Sequence, residues 1–132
     1  MFTNISLSEK VIPQDILHID AHIKKIKAEV SLFKFRDKDT RQIVLYIPSL
    51  QLTGYGSTES KAQEMINFSL NDYFYYLKDL SPKQRETELF DLGWKKNKLK
   101  NKEFSQAYVD FSGQLKNFNA VADQIERLTV SA

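Results

Sequence analysis

The sequence predicts an α+β domain: an antiparallel sheet packed on one long helix, with a further helix and strand toward the C-terminus. Three observations predict it. Residues 23–36 and 43–47 alternate apolar and polar at period two, as strands do, and residues 58–80 repeat apolar residues at intervals of three and four, as an amphipathic helix does. Ser81-Pro82-Lys83-Gln84 then forms a capping box with proline at the first helical position, which starts a second helix.

Taken in order, residues 1–20 are the least legible part, either a short helix opened by Pro13 or a partly ordered arm. Residues 21–132 read as a single domain, since 132 residues are enough for one core but not two. In the first clear strand Ile26, Ala28, Val30 and Leu32 share a face against Lys25, Lys27, Glu29 and Ser31. Phe33 and Phe35 fall on the polar face, which implies a bulge or an end covered on both sides. Asp37-Lys38-Asp39-Thr40 is a polar turn joining this strand to the next in an antiparallel hairpin. The second strand is apolar on both sides, hence central, and Pro48 ends its pairing. Gly54 and Gly56 are expected to turn the chain back sharply into the helix.

Thr58 or Ser57 caps that helix, and Glu59 complements its positive end. Ala62, Met65, Ile66, Ser69, Tyr73, Leu77 and Leu80 form the expected buried stripe. Lys61, Glu64, Asn67, Asn71, Asp72 and Lys78 form the wet arc, and Phe68 and Tyr75 lie on the flank. The second helix should stop at Gly93, with Trp94 folding back as a structural lock. Residues 95–103 read KKNKLKNKE, which if extended is a strand with a cationic face from Lys96, Lys98, Lys100 and Lys102. Lysines at alternate positions are a common guard of an exposed sheet edge. Asp110 caps a further helix carrying Phe111, Leu115 and Phe118, and Leu128 and Val130 belong to a last strand.

Composition narrows the chemistry. The absence of cysteine removes disulfides, thiolate nucleophiles and thiolate metal sites, and fits a cytoplasmic location. A net charge of +2 gives no whole-chain field toward nucleic acid or anionic lipid. No stretch approaches the length of a membrane span, and residues 1–17, which include Glu9 and Asp15, lack the pattern of a secretory signal. His18 and His22 are four apart, with Asp15 and Asp20 nearby, but the chain has no third histidine to complete a metal site. Gly54-Tyr55-Gly56 lacks the spacing and the lysine of a phosphate loop. No catalytic, cofactor or metal residue is therefore expected, and the reading is of a non-enzyme.

The succession Tyr46-Ile47-Pro48-Ser49-Leu50, a short loop, Gly56-Ser57-Thr58 and Ala62 at a helix start resembles the HicB-like antitoxin superfamily over about forty residues. The family shows a strand, a Pro-x-Leu turn, a Gly-Asp-Thr and a Glu-Glu-Ala helix start. This chain differs at Ser49, Ser57 and Lys61. The resemblance implies a partial ribonuclease H-like topology and a non-enzymatic module that binds and occludes a small ribonuclease toxin, in a groove or by strand addition. Ribonuclease H enzymes hold two metal ions between strand and helix carboxylates, a role open here only to Glu29 and Glu64, which lie on polar faces. The expected interaction surface comprises Tyr55, Tyr75, Lys96, Lys98, Lys100 and Lys102, with a homo-oligomer also open. The alternative function is a nucleic-acid-binding module using the 95–102 run with Trp94, Phe104 and Tyr108.

Overall fold

The computed structural model describes residues 5–10, 12–20, 24–97, 103–107 and 125–132. In chain order these form β1 (Ser6–Ser8), β2 (Gln14–Asp20), β3 (Lys25–Arg36), β4 (Ile43–Ile47), β5 (Leu52–Gly56), α1 (Glu59–Asp79), α2 (Pro82–Asp91), β6 (Lys95–Lys96), β7 (Glu103–Ala107) and β8 (Glu126–Ser131). The class is α+β with an antiparallel sheet, as the alternating strands and the amphipathic helix predict. The expected helix after Asp110 lies outside the described residues.

β3 is the axis of the sheet. Along one edge it pairs with β8 from Glu29 to Lys34. On the other it pairs first with β2, from Lys25 to Glu29, and then with β4, from Phe33 to Arg36. β1 lies outside β8, β7 and then β6 outside β2, and β5 outside β4. Residues 6–8 and 14–20, which the sequence assigns to a helix or an arm, are therefore strands. In β2 Leu17 and Ile19 face the core while His18 is exposed, a period of two that the preceding proline obscures.

Between the last β2 pair at Glu29 and the first β4 pair at Phe33, three residues of β3 have no strand on that edge. There the Ser31 N–H donates to Asp15 Oδ1 at 3.0 Å, and the Ser31 hydroxyl donates to the same oxygen at 3.0 Å. The buried carboxylate stands in for a ladder carbonyl where two strands part. Arg127 completes the cluster, donating from Nη2 to the Ile12 carbonyl at 3.0 Å and to Ser31 Oγ at 3.3 Å.

One sheet face, with Leu17, Val30, Leu32, Leu45, Ile47, Leu128 and Val130, meets Ala62, Ile66, Leu70, Phe74 and Leu77 of α1 in a single core. Phe33 and Phe35 lie on the opposite face and are nonetheless buried, and the register of β3 against β8 and β4 is unbroken. Of the two expectations for these phenylalanines, coverage on both sides holds and the bulge does not. The hairpin turn forms as expected, with Asp37 Oδ2 accepting from the Asp39 and Thr40 N–H groups.

Gly54 and Gly56 do not turn the chain. They lie within β5, neither has a positive φ, and the reversal falls at residues 48–51, where Gln51 takes φ 54°. The glycines admit the helix instead. A Cβ on Gly54 would lie 2.7 Å from Ile66 N and 2.8 Å from the Ala62 carbonyl, and one on Gly56 would lie 2.6 Å from Lys61 Cβ. With no side chain between them, α1 rests on the backbone of β5.

Thr58 caps α1, its hydroxyl accepting from Lys61 N at 3.2 Å. The C-terminus of α1 is closed by a residue the sequence reading passed over. Buried Arg85 of α2 donates to the carbonyls of Leu77 at 2.8 Å and Leu80 at 3.0 Å, satisfying the acceptors a helix end leaves open. The capping box at Ser81 is present in both directions. At the other end Gly93 takes φ 99° and Trp94 N donates to the Leu89 carbonyl at 2.9 Å, the reversal expected there. Trp94 is buried, and its Nε1 donates to the Ser49 carbonyl at 2.9 Å, fastening α2 to the β4–β5 turn.

Candidate interaction surface

Because α1 buries positions 62, 66, 70, 74 and 77, its opposite side is the arc running through Met65, Phe68 and Tyr75. Phe68 is 59% exposed, Tyr75 52%, Tyr76 48% and Met65 36%. Lys78 Nζ sits 5.4 Å from the Tyr75 ring centroid, a cation–π contact on the flank of this ridge. Tyr73, by contrast, is turned inward, its hydroxyl donating to Glu88 of α2 at 3.1 Å. Burial, with Glu88 beside it, pushes the Tyr73 phenol above its ordinary range.

Two assignments along the helix are corrected. Met65, placed in the buried stripe, is on the outer arc. Asn71, placed on the wet arc, is buried and donates from Nδ2 to the Asn67 carbonyl at 2.8 Å, while Asn67 Oδ1 accepts from Ile5 N ahead of β1. The signal available in the sequence was the run 62, 66, 70, 74, which centres the apolar arc on Leu70. A stripe drawn through Met65 and Ser69 in place of Leu70 and Phe74 is rotated away from it.

Tyr55 is 50% exposed on β5, on the sheet face away from α1. Its N–H points outward from β4 and meets Met65 Sδ at 3.4 Å, so the aromatic ridge and the β5 edge join at Met65. Thr53, two residues earlier, directs its N–H the same way. Among the described residues β5 pairs only with β4, and its sequence LTGYG carries neither charge nor proline to blunt that outer edge.

Only the two ends of the lysine run fall within the described residues. Lys95 and Lys96 make the two-residue β6, and β7 runs antiparallel to it, with Lys96 opposite Phe104 and Asn97 N donating to the Glu103 carbonyl at 2.9 Å. β6 and β7 run antiparallel to one another on either side of residues 98–102. Lys96 is paired with Glu86 of α2, while Lys98, Lys100 and Lys102 lie outside the described residues. Lys95 and Lys96 do occupy an outer edge of the sheet, where lysine guards against pairing. The expected surface thus divides: Tyr55 lies beside Met65 and Tyr75 further along the same outer arc of α1, whereas Lys96 belongs to another edge.

The acidic and histidine candidates are not brought together. Glu29 lies on the sheet face away from α1, beside Lys10 at 3.6 Å, whereas Glu64 is on α1 itself. The sheet stands between them. His18 is on a strand, so four-residue spacing from it no longer implies a shared helix face. Among the described residues no group of three His, Cys, Asp or Glu is placed to hold a metal ion. A wide groove of about 530 Å³ crosses the β2–β3 region, lined by Ile16, His18, Lys25, Lys27 and Glu29 with Ser131 and Ala132. Its mixed charges present no convergent set of donors.

No helix among the described residues is long and apolar enough to cross a membrane. Comparisons with protein-family models, with curated proteins and with solved structures find no match for this chain.

Proposed function

We propose that the protein is a non-enzymatic interaction module of the HicB-like antitoxin kind, acting in the cytoplasm, which binds a small ribonuclease partner by strand addition along the outer edge of β5. The observation that carries this reading is that edge: five uncharged residues, with one outward N–H held only by a thioether, a weak acceptor on a flexible side chain. An incoming strand gives Tyr55 N a carbonyl in place of sulfur, and Tyr55 supplies an aromatic anchor on the adjoining face. The order β3–β4–β5–α1, a three-stranded antiparallel meander followed by a helix, also suits the partial ribonuclease H-like topology that the resemblance implies.

The test is suppression of growth arrest when the protein is co-expressed with a small basic ribonuclease toxin of the kind that the resemblance implies. Thr53→Pro removes an outward donor without removing a bond to β4 and should abolish suppression while leaving the circular dichroism spectrum intact. Full suppression by a folded Thr53→Pro chain would overturn strand addition. Mg²⁺- or Mn²⁺-dependent RNA cleavage by the protein alone, lost in Glu29→Gln or Glu64→Gln, would overturn the non-enzymatic reading.

A further inference from the structure

Met65 holds the outer edge of β5 by its sulfur. The Tyr55 N–H, directed away from β4, donates to Met65 Sδ at 3.4 Å, and both side chains are exposed. The contact follows from packing. Ala62 and Ile66 lie over Gly54, so Met65, one position before Ile66 and off the buried stripe, overhangs the edge of β5. A thioether is a weak acceptor on a flexible side chain, and it yields readily to a carbonyl.

The same sulfur is the most oxidisable exposed group among the described residues. The chain has no cysteine, so the thiols that react ahead of thioethers are missing. Its one tryptophan, Trp94, is buried, and the only other methionine is Met1. Among the described residues a peroxide therefore reacts first at Met65.

We infer that Met65 is an oxidation site whose sulfoxide closes the β5 edge. The oxidant is a peroxide. The sulfur lone pair takes one oxygen of hydrogen peroxide as the O–O bond breaks, and the proton on that oxygen passes to the other, which leaves as water. The thioether loses two electrons, the peroxide gains them, and the products are one sulfoxide and one water. The new oxygen is a strong acceptor where sulfur was a weak one. Rotation about the flexible side-chain bonds brings it onto the Tyr55 N–H at the length of an ordinary N–H···O bond, about 2.9 Å. An incoming strand must then displace oxygen rather than sulfur. One hydrogen bond of ordinary net strength weakens strand addition roughly three- to ten-fold. Sulfoxide reductases reverse the step, so the edge is reopened when the oxidant is gone. The oxidation site stands on the contact between Tyr55 and Met65, and only its consequence for a partner rests on strand addition to β5.

Amide hydrogen exchange of the isotope-labelled full chain, before and after hydrogen peroxide, reads this cap without any partner. After treatment, mass spectrometry should show one added oxygen on the peptide holding Met65. The Tyr55 N–H should exchange roughly three- to ten-fold more slowly, while the Thr53 N–H on the same edge is unchanged. Met65→Leu, at an exposed helical site, should fold, exchange faster at Tyr55 than wild type and ignore peroxide. A Met65 left intact when Met1 is converted, a Tyr55 amide no slower after oxidation, or the same slowing in Met65→Leu would each overturn the proposal. Met65→Gln offers a carbonyl oxygen in place of the sulfoxide oxygen. It should weaken suppression of growth arrest by the co-expressed toxin, whereas Met65→Leu should retain it. Full suppression by Met65→Gln beside failure of Thr53→Pro would overturn closure of the edge alone. Full suppression by both would overturn strand addition, and exchange at Tyr55 would still decide the oxidation site.

Discussion

Gly54→Ala tests the packing on which the candidate surface rests. The added Cβ would stand 2.7 Å from Ile66 N and 2.8 Å from the Ala62 carbonyl, against the 3.4 Å at which ordinary contact begins. The opposing atoms are helix backbone and cannot swing aside, so α1 must withdraw by about 0.7 Å, the difference between 3.4 and 2.7 Å. A gap of roughly that size forfeits a quarter to a half of the dispersion well for each contact it opens. Ile66, whose backbone N and Cβ lie beside the added atom, and Leu70, one turn further along the same buried stripe, each contribute about 1.5–3 kcal/mol by burial. Their partial loss, with displacement of neighbours, comes to about 1–3 kcal/mol, the usual range for overpacking. For a domain of this size that lowers Tm by roughly 3–15 °C. Urea denaturation followed by helix ellipticity measures the change, with Thr53→Ala on the opposite face as control, expected within about 0.5 kcal/mol of wild type. A Gly54→Ala chain as stable as that control would refute the close approach and with it the placement of α1 on β5.

Ile47→Ala, Ile66→Ala and Leu77→Ala each empty a fully buried site and should cost about 2–5 kcal/mol, read as a lower denaturation midpoint. Arg85→Met leaves the Leu80 carbonyl without its guanidinium donor and the Leu77 carbonyl with only the Leu80 N–H, and should cost about 1.5–3 kcal/mol, and Arg85→Lys should restore little because an ammonium lacks the guanidinium fork. Alkaline stability has a sign that the structure sets. The folded chain holds the Tyr73 proton above the ordinary value of 10.0, chiefly through burial, and holds the Lys34 proton above 10.5 because Glu126 and Glu59 outweigh its desolvation. Folded chains then bind more protons than unfolded ones at higher pH, so this stability is intact below about pH 10 and is lost as pH rises through the folded pKa values. Thermal melts above pH 10 should show a steeper decline in wild type than in Tyr73→Phe, and an equal decline would refute the assignment.

Signals that act within a few residues were legible in the chain: the alternation of β3 and β4, the Asp37 turn, the Thr58 cap, the Ser81 capping box and the Gly93 stop. Each rests on steric preference or a hydrogen bond spanning four or five positions, so the local sequence specifies it. Leu128 and Val130 also marked β8, but not its central place between β1 and β3, which only pairing decides.

What tertiary structure alone decided depends on elements distant in the chain. Gly54 and Gly56 look the same in a turn and in a strand pressed against a helix; the approach of Ala62 and Ile66 distinguishes the two. Asp15 reads as a stray acid until β2 and β4 part and leave Ser31 N–H without a ladder partner. Arg85 reads as a surface cation until α2 folds back and sets it beneath the carbonyls of Leu77 and Leu80. The outer arc of α1 is defined by which side the sheet covers, and a rotation of one position moved Met65 across that boundary. Local hydrogen bonding and periodicity are written in the order of residues, whereas a buried polar group or a bare glycine takes its meaning from the atoms that arrive beside it.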